Sequence, residues 1–319
     1  MFAMRRESDE TAWVQDLQLI SGLTVKISEP LARYTSMKIG GPADCFIEVE
    51  TENALAQLLS ILSRQDTAFD ILGNGSNVLI SDLGVQGAVV HLSGDFKLAD
   101  WREEANNLWV EVGAAYAVTQ LVRQAARRGY SGLEFAEGIP GTMGGALVMN
   151  AGAYGSEFEK VVDRVDGMTR DGSPIQFTRK TMTFTYRDSH LPSGTVVTRV
   201  RITLHRDESS RVSSKVRELV TKRKSSQPSG HPNSGSMFRN PPGDYAGRLI
   251  EAAGLNGKQI GQAQISAKHG NFIVNLGGAK AEDVRQLMER ARAEVEAQFG
   301  IELVPEVRMF GKWPSVKAE

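Results

Sequence analysis

Gly138-Ile139-Pro140-Gly141-Thr142-Met143-Gly144-Gly145-Ala146 runs on through Asn150-Ala151-Gly152-Ala153-Tyr154-Gly155, the most informative segment of the chain. Its eighteen residues hold six glycines, a poor composition for a structural loop because ordering glycine costs more backbone entropy than ordering any other residue. A mobile surface loop fits badly with the apolar Ile139, Met143, Leu147, Val148 and Met149 in the same stretch. A cofactor touching the backbone directly would offset the ordering cost, so residues 138–155 read as one long ligand-binding loop.

Upstream, Gly73-Asn74-Gly75-Ser76-Asn77 stands between two apolar segments. Two glycines flanking one residue let the chain turn sharply and point several N–H groups into one concavity, an anion nest. The dinucleotide fingerprint is not met: Val78 fills its third glycine position and a strand, not a helix, is expected next. No Walker loop is present either, because Gly257-Lys258-Gln259 lacks both its spacing and its hydroxyl. An ordinary strand–strand turn accounts for residues 73–77 as well as a ligand loop does.

Around the two loops the periodicity alternates. Short strands are expected at 45–49, 69–72, 78–80, 88–92 and 108–112. Leu55, Leu58, Leu59 and Leu62 recur at helical spacing, as do Val118, Leu121, Val122 and Ala125 ahead of Gly129. Val200, Ile202 and Leu204 alternate with Arg199, Arg201 and Thr203 in the period of a half-buried strand. A polar helix carries Val212, Val216, Leu219 and Val220, and residues 225–234, rich in Ser, Pro, Gly and Asn, read as a hinge or active-site loop. Beyond it come a strand near Met237, a helix over 245–253, a strand over 271–276, a helix over 282–299 closed by Gly300, and a final strand over 301–310. Helices and strands follow no regular repeat, so the class is α+β.

With 319 residues the chain suits two or three packed units. A net charge of −1 gives no long-range pull toward nucleic acid or anionic membrane, so phosphate must be held by local groups. Cys45 is the sole cysteine, which excludes an internal disulfide and a cysteine-rich zinc site, and the five histidines show no metal-ligand spacing. Arg5, Arg6, Glu7, Asp9 and Glu10 break any signal-peptide core, no run approaches a membrane span, and a cytoplasmic protein is expected.

The two glycine loops resemble those of the FAD-binding domain of the vanillyl-alcohol oxidase and p-cresol methylhydroxylase class. With Tyr34-Thr35-Ser36-Met37-Lys38-Ile39-Gly40-Gly41-Pro42-Ala43 ahead of them, the chain is similar to the UDP-N-acetylenolpyruvoylglucosamine reductase family. Tyr186-Arg187-Asp188-Ser189, Ser234-Gly235-Ser236-Met237-Phe238-Arg239-Asn240-Pro241, Ala246-Gly247-Arg248-Leu249-Ile250-Glu251 and Pro305-Glu306-Val307-Arg308 follow in family order, so the resemblance covers about residues 21–311. The short span between Ser189 and Val197 leaves no room for the loop of the long form, which makes this the short form. The resemblance implies an N-terminal extension (1–20), an FAD-binding domain of two subdomains (21–206), a smaller α+β substrate-binding domain (207–300) and a C-terminal strand and tail carrying Glu306 (301–319).

It further implies NADPH-dependent reduction of the enolpyruvyl ether of UDP-N-acetylglucosamine to UDP-N-acetylmuramate, through non-covalent FAD, in peptidoglycan synthesis. Catalysis would fall on Arg187, Ser236 and Glu306. FAD would lie against Gly73, Asn74, Gly75, Ser76, Asn77, Ile139, Pro140, Gly141, Thr142, Gly144, Gly145, Asn150 and Ala151. The sugar nucleotide would meet Tyr186, Asn240, Arg248 and Lys268; Tyr154 and Tyr245 are further aromatic candidates. No metal, nucleic-acid or membrane partner is implied, and a monomer is compatible.

Each assignment has a plainer counterpart. Arg187 beside Asp188 could form a surface ion pair, Ser236 could punctuate a turn, Glu306 could be a solvated strand residue, and Lys268-His269 a solvated edge. Two rivals remain open to test: an oxidase on the same flavin fold, which would consume oxygen with a simple sugar, and a non-catalytic nucleotide-binding relative, which would be colourless.

Overall fold

The computed structural model describes residues 13–104 and 107–314; most of the expected N-terminal extension, residues 1–12, lies outside them. A four-stranded sheet runs in the order Leu23–Pro30, Pro42–Val49, Val85–Leu92, Phe69–Ile71, the last two parallel. The chain divides into two compact units, one built from the described residues up to Ile27, Cys45–Gly73 and Gly87–Val220, the other from Ser28–Asp44, Asn74–Gln86 and the described residues from Thr221 on. These units are interleaved, whereas the sequence reading drew contiguous segments. Hydrophobic bookkeeping gives the reason: Met37, Ile39 and Leu79 are buried in the same apolar cluster as Leu249, Leu287 and Leu303, so they group with the later residues.

The first unit centres on an antiparallel sheet in the order Pro174–Thr178, Val162–Met168, Val196–Arg206, Asn107–Gly113, Ala99–Glu104, with Tyr130–Ser131 also paired to Val196–Arg206. As the alternation predicts, Val200, Ile202 and Leu204 are fully buried while Arg199, Arg201 and Thr203 are half-buried. Each such side chain removed from water contributes about 1.5–3 kcal/mol. The helix Glu52–Arg64 starts where Thr51 accepts a hydrogen bond from the Ala54 N–H (3.2 Å), and it buries Leu55, Leu58, Leu59 and Leu62. Val118–Arg128 ends at Gly129, whose φ of +74° is the left-handed conformation that closes helices. Strands at Leu23–Pro30, Ala99–Glu104, Val162–Met168 and Pro174–Thr178 are absent from the sequence expectations, although Leu23, Val25 and Ile27 alternate with Thr24, Lys26 and Ser28.

The second unit holds the antiparallel sheet Asn233–Ser236, Phe272–Asn275, Ala263–Ile265, Gln259–Ile260, with the helices Ala246–Ala252 and Ala281–Phe299. Asp82 caps the longer helix from outside: its carboxylate accepts from the N–H groups of Ala281 (2.9 Å) and Glu282 (3.0 Å). Two expectations are corrected here. The final strand is confined to Arg308–Phe310, parallel to Val78–Ile80, because Pro305 has no N–H to offer a ladder and residues 301–307 follow an irregular course. The linker expected over 225–234 shortens to residues 227–232, since the preceding helix runs to Ser226 and a strand begins at Asn233.

Candidate active site

The glycine-rich stretch after Glu137 is not one long loop. Met143–Val148 forms a short helix with Thr142 as its cap, and Gly152–Ala153 pairs with Ser156–Glu157 in a hairpin. Apolar Met143 and Leu147 are fully buried, which is what a helix turn inside a core requires. Much of the backbone here is committed to the protein itself. Met143 N–H donates to Tyr116 O (2.9 Å), Gly144 N–H to Ala114 O (2.9 Å), Gly145 N–H to Thr142 Oγ (3.3 Å), Asn150 N–H to Leu147 O (2.9 Å) and Ala151 N–H to Ala146 O (2.8 Å). Gly144 is glycine for packing, because a Cβ there would stand 2.9 Å from that of Ala114. The N–H groups of Gly141 and Thr142 enter no hydrogen bond among the described residues, and Gly141 has a φ of +150° that glycine alone adopts freely.

The first loop is built differently. Gly75 has a φ of +58°, and a Cβ on it would strike the carbonyl of Tyr34 and lie 2.7 Å from the Cα of Thr35. Its absence lets the loop press against the 34–36 backbone, where Ser36 N–H donates to Gly75 O (3.0 Å). Among the described residues no hydrogen bond takes up the N–H groups of Asn74, Gly75 or Asn77. Three main-chain donors with no internal acceptor surround one left-handed glycine, an arrangement open to a nest as well as to a plain turn. Gly73 faces the other loop, since a Cβ on it would come 2.8 Å from Thr142 Oγ1.

Arg187 sits at the tip of a tight turn in the first unit. Thr185 N–H donates to Asp188 O (2.9 Å) and Asp188 N–H returns to Thr185 O (3.1 Å), leaving Tyr186 and Arg187 as the two turn residues. Arg187 has a φ of +62°, a conformation a branched or long side chain rarely adopts. Its guanidinium lies over the Tyr186 ring, 4.9 Å from the centroid, and Asp188 Oδ1 accepts from His190 N–H (2.7 Å). The turn is tied to the glycine-rich segment by Asn150, which is fully buried. Asn150 Nδ2 donates to Thr185 O (3.1 Å), its Oδ1 accepts from Glu159 N–H (3.0 Å), and Ser189 N–H reaches Val148 O (3.3 Å).

In the second unit, Ser236 ends the strand Asn233–Ser236, and Met237 beside it accepts the N–H of Glu306 at 2.8 Å. The segments carrying Ser236 and Glu306 are therefore neighbours. Both side chains are half-buried. Asn77 Nδ2 donates to Glu306 O (3.2 Å), and Arg308 N–H donates to Asn77 O (3.0 Å), which joins the first glycine loop to the same place.

The candidate nucleotide contacts hold structural partners. Asn240 Oδ1 accepts from Ala246 N–H (3.1 Å) and so caps the helix that follows. Arg248 is exposed and paired with Asp244, Nε to Oδ1 at 2.7 Å. That guanidinium hydrogen bond holds the Asp244 carboxyl down to about 2. Lys268 Nζ donates to Lys224 O (2.7 Å), tying the loop before Phe272–Asn275 to the end of a helix. Tyr245 is exposed, and Tyr154, with a φ of +55°, donates its hydroxyl to Leu219 O (3.3 Å). Among the described residues no group of His, Cys, Asp and Glu could hold a metal ion, and no helix is long and apolar enough to cross a membrane. Ser36, singled out in the sequence only as part of a motif, bonds both Gly75 O and Asn233 O.

Residues 43–178 match the family model for an FAD binding domain, and residues 227–310 match that for the C-terminal domain of UDP-N-acetylenolpyruvoylglucosamine reductase. The chain is 43% identical to UDP-N-acetylenolpyruvoylglucosamine reductase 2 of Symbiobacterium thermophilum, over 91% of this chain and 93% of that one. It is 42% identical to the reductase of Caldanaerobacter subterraneus, over 90% and 93% of the two chains. The crystal structure of the reductase from Thermus caldophilus superposes with a TM-score of 0.78 at 38% identity, covering 90% of this chain and 98% of that one. The expected α+β fold, with an FAD-binding domain of the vanillyl-alcohol oxidase type, is borne out.

Proposed function

The chain belongs to the UDP-N-acetylenolpyruvoylglucosamine reductase family, and on that premise we propose how its own residues carry the reduction of the enolpyruvyl ether of UDP-N-acetylglucosamine. It is an FAD-dependent oxidoreductase of peptidoglycan precursor synthesis with NADPH as reductant. The donors present fit a phosphate-bearing cofactor: within one unit the unengaged N–H groups of Asn74, Gly75 and Asn77 suit a phosphate, and within the other those of Gly141 and Thr142 are likewise unengaged. Bound FAD supplies the hydride relay between NADPH and the methylene carbon of the enolpyruvyl group.

The rest is done by side chains. Arg187 offers a planar cation to the substrate carboxylate, where negative charge grows as the methylene carbon is reduced. Its fixed backbone turn keeps that cation from having to reorganise. Ser236 gives its hydroxyl proton to the carbon next to the carboxylate; a serine is a weak acid, and the enolate-like carbon is basic enough to take it. Glu306 orients the same intermediate. Tyr186, Asn240, Arg248 and Lys268 contact the sugar nucleotide, Arg248 by exchanging Asp244 for a phosphate oxygen. The enzyme works in the cytoplasm.

The observation that supports this reading is the Glu306–Met237 hydrogen bond, which makes the two reacting segments neighbours beside the first glycine loop. Stopped-flow absorbance of the flavin tests it. Ser236→Ala should leave the NADPH half-reaction near that of the parent while slowing reoxidation by the enolpyruvyl nucleotide about 10²–10⁴-fold. Equal slowing of both halves would remove the proton donor from Ser236.

A further inference from the structure

Ser36 is half-buried and takes no part in the chemistry described above, yet it stands where two functional segments meet. Its N–H donates to Gly75 O (3.0 Å), and its hydroxyl reaches Asn233 O at 2.7 Å and Gly75 O at 3.2 Å. A hydroxyl has one proton, and the shorter contact takes it. The N–H therefore holds the glycine loop and the O–H holds the first residue of the strand that ends at Ser236. The neighbouring Thr35 fixes this backbone, its hydroxyl donating to Ile39 O (2.9 Å) and accepting Ile39 N–H (3.2 Å).

From Asn233 the connection continues. Its Oδ1 accepts Gly235 N–H (3.1 Å), which shapes the turn before Ser236, and Met237 then accepts Glu306 N–H. Asn77 returns to the start: it belongs to the same glycine loop and donates to Glu306 O. The chain of bonds is a closed ring, running Gly75, Ser36, Asn233, Met237, Glu306, Asn77 and back along the loop. Every link lies in one compact unit.

We infer that Ser36 is a positioning residue for the second half-reaction: it sets the strand carrying Ser236 against the loop that cradles the cofactor. The inference rests on the assignment of Ser236 and Glu306 above. An error of about 1 Å in the placement of a reacting group costs up to about 100-fold in rate, and the ring is what prevents it. Hydride transfer from NADPH needs no proton from Ser236, so a defect in the ring falls on one half-reaction.

The test compares Ser36→Ala, Ser36→Thr and Ser236→Ala as FAD-loaded proteins. Ser36→Ala should slow reoxidation by the enolpyruvyl nucleotide roughly tenfold or more while changing reduction by NADPH far less, and Ser36→Thr, which keeps the hydroxyl, should restore most of the loss. Hydrogen–deuterium exchange gives a readout apart from turnover: the amides of Met237 and Glu306 should exchange faster in Ser36→Ala, and those of Val165 and Val200 in the other unit should not. A uniform slowing of both halves, or no change in exchange at Glu306, overturns the inference. If Ser236→Ala behaves as proposed and Ser36→Ala is indistinguishable from the parent, the ring alone fails. If Ser236→Ala itself slows both halves equally, the catalytic assignment fails and the inference falls with it. Should Ser36→Ala not fold, Ser36→Cys, with a longer and weaker donor, is measured by the same criteria.

Discussion

The two glycine loops invite opposite readings in sequence and in structure. Residues 138–155 hold six glycines against two in residues 73–77, and composition alone makes the longer stretch the stronger ligand signal; residues 73–77 look as much like a plain turn. In the structure the first loop keeps the N–H groups of Asn74, Gly75 and Asn77 outside any internal hydrogen bond, whereas Met143, Gly144, Gly145, Asn150 and Ala151 have spent theirs on the protein. Glycine serves different ends in the two places. Gly75 is small so that another backbone can lie against it, and Gly144 so that a helix can pack on Ala114. Glycine density marks close approach, but only the destination of each amide tells whether the neighbour is protein or ligand.

The contrast breaks most visibly at Gly75. Gly75→Ala forces a Cβ into the Tyr34–Thr35 backbone at a φ of +58°, and both clash and conformation oppose it. We expect a loss of about 3 kcal/mol or more in unfolding free energy, together with FAD affinity weakened well beyond that of any variant in the short helix. Gly145 is the matched control, since a Cβ there meets only Thr142 Oγ1 at 3.4 Å, in ordinary contact. Gly145→Ala should stay within about 1 kcal/mol of the parent, on the stabilising side, because alanine favours a helix. Urea unfolding and fluorescence titration with FAD measure both. A Gly75→Ala protein as stable and as tightly loaded as Gly145→Ala would end the distinction.

Asn150 sharpens the comparison from the side of the second loop. Both ends of its amide are used, at Thr185 O and Glu159 N–H, and Asn150 itself is fully buried, so Asn150→Ala removes both bonds, leaving Glu159 N–H without its acceptor and Thr185 O with Asp188 N–H alone. The expected loss is about 2 kcal/mol. Since Thr185 precedes the turn carrying Arg187, the same variant should raise KM for the enolpyruvyl nucleotide more than for NADPH. Steady-state kinetics with each substrate varied in turn checks this, and equal effects on the two KM values would reduce Asn150 to a stabilising contact.

How far the sequence could carry this reading depended on where each interaction is made. The helices were legible because Leu55, Leu58, Leu59 and Leu62 repeat at 3.6-residue spacing, and Gly129 and Gly300 punctuate their ends. The helix Met143–Val148 was not, because two of its six residues are glycine and its stability comes from tertiary hydrogen bonds to Tyr116 and Ala114. Arg187, Ser236 and Glu306 entered through the family motifs, since no local pattern separates them from a turn arginine, a loop serine and a strand glutamate. The interleaving of the two units was illegible for a related reason: Met37 and Leu79 carry no mark of the distant residues they pack with. Ser36 shows the limit most clearly, because its role is defined by Asn233, 197 positions away.

The smallest expected effect concerns two histidines, one in each unit. His91 is stacked on Phe46 (5.8 Å between centroids) with Nδ1 2.7 Å from Leu72 O, so in the neutral ring Nδ1 carries the proton. His269 packs edge-on against Phe272 and accepts Asn271 N–H at Nδ1 (3.2 Å), so its proton sits on Nε2. Burial is the main reason both lie below the ordinary value of 6.5; near His91, Leu72 O and Glu48 oppose the shift while Lys97 and Lys26 add to it, and near His269, Glu251 opposes it. A depressed folded value means the unfolded chain takes up protons first as pH falls below about 6.5, so stability present above that pH declines toward each folded value. Protonation has unequal consequences at the two sites: His91 keeps its bond to Leu72, whereas His269 must protonate the very nitrogen that receives Asn271. Thermal unfolding followed from about pH 7.5 to about pH 5 should therefore show a shallow decline in the parent that both His91→Gln and His269→Gln flatten. Only in the parent and His91→Gln should protection of the Asn271 amide, taken relative to the intrinsic exchange rate at each pH, fall with pH; a loss of protection that persists in His269→Gln would place its cause elsewhere in the unit.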